Sequence, residues 1–220
     1  MRRLAQPQVV TSAAIAATLS AVLSFPRMLL WDNRPFSIWY AEATILFCGF
    51  VLWAFVFAWH TEYTHRPVFT LKIKLPLFAV ATAAGILISL ALHFWLDPAL
   101  RPVAPKDFPA DFKHWLASTI FSLAFTQLFL LYAPFDWAIR LFRSEQAAMW
   151  LTVILGIVVL LLRNNSMPTQ APVSLLIPVM GLKIAGIFFA VWFYLRGGIF
   201  LVWWLDLLLE ARHLLTYNGL

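Results

Sequence analysis

The 220 residues predict an all-α, polytopic integral membrane protein of about seven transmembrane helices. Three observations carry this. The chain is 62% hydrophobic and only 12% charged, against about 45–50% and about 25% for soluble domains. Mean hydropathy is +0.82. The apolar residues fall into long runs, each close to the roughly 20 residues that an α-helix needs to cross a bilayer, separated by short polar stretches. Seven of the eleven tryptophans, Trp31, Trp39, Trp59, Trp95, Trp115, Trp137 and Trp150, lie near the ends of those runs, the pattern of an interfacial aromatic belt.

In chain order, MRRLAQPQVV and the run after it resemble a signal peptide, but Pro26, Arg27 and Met28 follow where a small-residue cleavage site belongs. The first span is therefore read as uncleaved, 9–31, kinked near Pro26. The second covers 36–59 and holds Glu42 in its first turns. Arg66, Lys72 and Lys74 mark the loop before the third, 75–96, which ends beside His93. The proline-rich DPALRPVAPKDFPADFKH reads as an extended linker. The fourth span is 115–133, with Thr126 and Gln127 at mid-depth. PFDWAIRLFRSEQ mixes apolar and charged residues like a helix lying on the membrane surface. The fifth, 147–162, stops at RNNSMPTQAP. The sixth, 173–195, carries Lys183 among small residues suited to close helix packing. Gly197 and Gly198 then break the chain before the seventh, 198–215. The whole, 1–220, reads as a single membrane domain.

The net charge of +6 reflects basic residues collected in loops; no basic run interleaved with aromatics points to nucleic acid. Arg2, Arg3, Arg66, Lys72, Lys74, Arg140, Arg143 and Arg196 share the side assigned to the cytoplasm with the N-terminus, giving only a slight positive-inside bias. The expected location is the bacterial inner (plasma) membrane. Cys48 is the only cysteine; an internal disulfide and a cysteine metal cage are excluded, and a buried small hydrophobe is expected.

The last two spans carry the chemistry. Asp206, Glu210 and His213 follow spacings of four and three, which place them on one helical face. Each buried charge costs on the order of 2.5–3.5 kcal/mol, so such a stripe faces protein or a wet cavity rather than lipid. At a rise of about 1.5 Å per residue, Lys183 and Glu210 each lie roughly 20 Å from Arg196 on antiparallel neighbours. A polar cluster of Glu42, His93, Lys183, Asp206, Glu210 and His213 is expected, with Lys183–Glu210 or Lys183–Asp206 as its ion pair. Arg163 belongs to the same leaflet side. Glu210–His213 and Glu62–His65 are E-x-x-H pairs of the kind that di-iron bundles use, but the short pattern recurs by chance. No metal is assigned, with Glu210 and His213 the only candidate ligands.

The C-terminal half, about 115–213, resembles the CAAX-protease and bacteriocin-processing family of intramembrane proteases. The stretch that carries the likeness is FYLRGGIFLVWWLDLLLE, similar to the family's aromatic, Leu-Arg, glycine turn and H-x-x-x-N helix. Here those last positions are Asp206 and Glu210. The family's E-E-x-x-x-R falls on Thr126, Gln127 and Leu131, and its F-x-x-x-H helix falls near Arg163 and Asn164. The resemblance implies a shared layout of helices with the catalytic groups replaced. A general base must titrate near neutral pH, which Thr126 and Gln127 do not.

The expected function is that of a non-catalytic relative, an accessory or binding subunit whose partners are the lipid bilayer and other membrane proteins. Its cofactors are unknown. The alternatives are a metal-dependent oxidoreductase or hydrolase using Glu42, Asp206, Glu210 and His213, and a transporter-like protein in which Lys183 and the carboxylates line an ion path.

Overall fold

The computed structural model describes residues 3–31, 35–165 and 172–217. Arg2, expected to anchor the cytoplasmic side, and most of the stop after the fifth span lie outside the described residues. Among the described residues there is no strand, and six helices are long and apolar enough to span a bilayer: α1 (Pro7–Leu29), α2 (Ile38–Thr64), α3 (Leu75–Leu100), α4 (Phe112–Phe142), α5 (Glu145–Asn165) and α6 (Val173–Tyr217). The protein is an all-α polytopic membrane protein.

Six helices rather than the expected seven result from what happens at the last turn. The sixth and seventh spans run on as the 45-residue α6, whose backbone leaves helical geometry at Gly198 (φ 66°, ψ −168°). That region of backbone space is open essentially only to glycine. A straight helix of this length reaches about 65 Å, roughly twice the hydrocarbon thickness, and would hold Lys183 and Asp206 about 35 Å apart. They lie instead within electrostatic reach, so the two arms, 173–197 and 199–217, fold back on each other at Gly198.

The described chain groups into two compact units, Met1–Val68 with Leu116–Ala148, and Phe69–Trp115 with Met149–Leu220. In the first, α1 begins with a proline in its first turn and buries Val9, Ala13, Ala17, Ser20, Ser24 and Met28 along one stripe. Small residues there allow close approach to α2 at Gly49. Ser20 accepts the Trp53 indole N–H at 3.0 Å and donates to the Ala124 carbonyl at 2.9 Å, tying α1, α2 and α4 together. Helix α2 is capped by Ser37, whose Oγ accepts the Tyr40 N–H, and closes on left-handed His65 (φ 57°).

Helix α4 contains two π-helical turns, Ser122–Thr126 and Leu128–Tyr132. Each extra residue rotates the following face by about 100°. Its end therefore points Tyr132, Phe135, Asp136 and Ile139 fully inward. This corrects the expectation of a surface-lying helix at PFDWAIRLF. The buried face of this segment packs on α2, and the helix stops only at left-handed Arg143.

In the second unit α3 packs on the later arm of α6. A Cβ on Gly85 would come within 2.8 Å of Leu208 Cδ1, and the Trp204 indole donates to Thr82 Oγ1 at 2.9 Å. Helix α5 packs on the earlier arm, where a Cβ on Gly156 would sit 2.3 Å from Ile187 Cδ1. The proline-rich connection is not an extended linker. Asp97–Leu100 continue α3 after a π turn at Leu92–Leu96, and a 3₁₀ turn follows at Pro105–Asp107. It is held by packing: Arg101 lies over the Phe108 ring at 5.2 Å, and Phe108 meets the His213 ring edge-on at 5.5 Å. The aromatic belt is also only partial, since Trp39 and Trp95 are exposed whereas Trp59 and Trp115 are buried in protein. Cys48 is half-buried.

Candidate functional site

The last arm of α6 builds the site because its period of 3.6 keeps Asp206, Glu210 and His213 on one face, and because α3 and the 97–115 connection cover that face. Asp97, delivered inward after the π turn of α3, accepts from Arg212 Nε at 3.1 Å, and both side chains are largely buried. Arg212 Nη1 also donates to the Leu209 carbonyl at 2.6 Å. Glu210 feels the charges of Asp206, Arg212 and Asp97, while its main-chain carbonyl accepts the Trp115 indole N–H at 2.8 Å. His213 Nε2 lies 3.8 Å from Glu210 Oε2, within electrostatic reach of His93, Arg101 and Arg212. On the other arm Lys183 faces Asp206 and, more weakly, Arg163.

The second unit thus holds His93, Lys183, Asp206, Glu210 and His213. Glu42 belongs to the first unit, with its Oε1 buried and without a hydrogen-bond partner among the described residues. Of the two ion pairs suggested by depth along the helices, Asp206 is the carboxylate that acts on Lys183. Asp97, Asp206 and Glu210 thus share this part of the second unit with Arg101, Lys183 and Arg212.

The remaining positions singled out by sequence are dispersed. Thr126, Gln127 and Leu131 lie in the first unit, on and beside the π turns of α4. Arg163 and Asn164 lie at the end of α5 in the second. Arg163 forms an ion pair with Asp107. The E-x-x-H pairs also belong to different units: Glu62 binds Arg3 Nε at 2.9 Å and His65 caps α2. Among the described residues no group of three or more His, Cys, Asp and Glu is arranged to hold a metal ion.

Sequence reasoning missed Asp97, Arg101 and Arg212, and in the first unit the fully buried His60–Asp136 pair, Nδ1 to Oδ1 2.8 Å. The available signals were an aspartate opening DPALRP directly after an apolar run, and a histidine closing the run FVFAWH. No family model, curated relative or solved structure matches the chain.

Proposed function

We propose that the protein is a non-catalytic relative of the CAAX-protease and bacteriocin-processing family that serves as a binding subunit of a bacterial inner-membrane assembly, with its N-terminus in the cytoplasm. One observation carries the reading: the positions that the family likeness equates with its glutamates, arginine and histidine, Thr126, Gln127, Leu131, Arg163 and Asn164, hold no general base. Thr126, Gln127 and Leu131 offer no base. Arg163 is held by Asp107, and Asp206 lies within electrostatic reach of Lys183. A general base must reach a water and exchange its proton usefully, and none of these five side chains can do so.

The orientation rests on the first unit. Arg3, Arg66 and Arg140 gather at one end of α1, α2 and α4, with Arg3 bound to Glu62, Arg66 to Glu145 and Arg140 stacked on Trp59. That enrichment suits the cytoplasmic face.

The test is extraction of the full chain from its native membrane in polymer discs. A second membrane protein in fixed stoichiometry, retained in Glu210→Gln and without peptidase activity, is the expected result. A monodisperse monomer that cleaves membrane peptides, with cleavage lost in Glu210→Gln, overturns the proposal.

A further inference from the structure

We propose that the first unit binds the phosphate headgroup of an anionic phospholipid in a recess bounded by Leu4, Ala5, Phe55, Trp59, Trp137 and Arg140. The pocket is an open recess rather than an enclosed cavity, with a volume of about 490 Å³, so a bound lipid would be held only on its headgroup side. It lies where the start of α1 meets the ends of α2 and α4, at headgroup depth for helices of these lengths. Its walls are apolar and aromatic, and Arg140 is the one cation lining it among the described residues.

The charge argument is local. At this end of the unit Glu62 is engaged by Arg3 and Glu145 by Arg66. Asp136, one turn before Arg140 on α4, is hydrogen-bonded to His60 inside the protein. The Arg140 guanidinium instead lies over the Trp59 ring, 4.3 Å from its centroid. That ring is buried and stacked on Phe55 at 4.7 Å. The contact holds the guanidinium at the wall of the recess, and the planar paired donors of an arginine match phosphate oxygens. An arginine serving only as an interfacial anchor extends toward water; this one is folded against a buried indole at the wall of a recess. Basic pockets between membrane helices are established sites for anionic headgroups. The apolar walls of Phe55 and Trp137 suit the glyceryl portion, which a free phosphate ion lacks.

The experiment uses the full chain in discs of equimolar phosphatidylglycerol and phosphatidylcholine, with retained lipid counted by native mass spectrometry after transfer to detergent. The expected result is retained phosphatidylglycerol that falls at least tenfold in Arg140→Gln and is unchanged in Lys72→Gln, which lies outside the recess. A second readout needs no change to Arg140. Brominated phosphatidylglycerol quenches wild-type tryptophan fluorescence more than brominated phosphatidylcholine does, and the excess shrinks in Trp137→Phe. Equal retention of the two lipids, retention unaffected by Arg140→Gln in folded protein, or complete displacement by millimolar inorganic phosphate overturns the proposal.

Discussion

The two units handle buried polarity in opposite ways. In the first, the fully buried ionisable side chains among the described residues are His60 and Asp136, 2.8 Å apart. The second distributes it over His93, Asp97, Arg101, Lys183, Asp206, Glu210, Arg212 and His213. Removing one member of a fully buried charge pair is costly because the other stays buried, whereas a wider network offers the survivor other opposite charges. Unequal sensitivity of the two units to loss of a single carboxylate is the consequence.

The largest effect is expected at Asp136. Asp136→Ala removes the carboxylate from a fully buried imidazole and should cost on the order of 3–5 kcal/mol, read as a lowered unfolding midpoint in detergent with loss of first-unit protection in hydrogen exchange. The matching change in the network, Asp97→Ala, should cost less, about 1–3 kcal/mol, because Arg212 keeps the Leu209 carbonyl and neighbouring Glu210. If Asp97→Ala proves as damaging as Asp136→Ala, the contrast between pair and network fails. Smaller again is Ser20→Ala, which removes both hydrogen bonds joining α1 to α2 and α4. Polar contacts between membrane helices average about 0.6 kcal/mol and reach about 1.7, so a fall in midpoint within that range is expected.

The smallest effect concerns pH, in the connection outside the spans. Burial raises the Asp107 pKa above its ordinary 3.8, outweighing the Arg163 guanidinium beside it. A carboxyl raised on folding contributes stability that is full below pH 3.8 and is lost as pH rises through its folded value. Asp111 is the reverse. The His114 backbone N–H, donating at 2.8 Å, and the His114 side chain lower its pKa, so its contribution is present above pH 3.8 and is lost as pH falls through the lower folded value. Carboxyl NMR titration of the two aspartates should show midpoints displaced in opposite directions. Displacement of both the same way would separate the connection from the packing described for it.

Lys183 and Asp206 show how much of the site was legible. Their presence in apolar runs and the glycines between them are visible in the sequence, and the fold-back at Gly198 brings the two into reach. Glu42 shows the limit. Depth along a span gave it the same leaflet as the others, but depth carries no information about lateral position, and it belongs to the other unit. Asp136 shows a second limit. Period-3.6 reading fails wherever a π turn inserts a residue, and two such turns precede it.

Composition and hydropathy determined that this chain is helical, that it belongs in a bilayer and where its apolar runs fall, because these follow from local sums of transfer energy. The tertiary structure decided which charges meet, that Asp97 and Arg212 pair, that α4 runs on to bury Asp136, and that the last two spans turn back on each other at Gly198. Those outcomes depend on rotations of a single residue about a helix axis and on contacts between residues as far apart as Asp97 and Arg212. No local sum of transfer energies contains either.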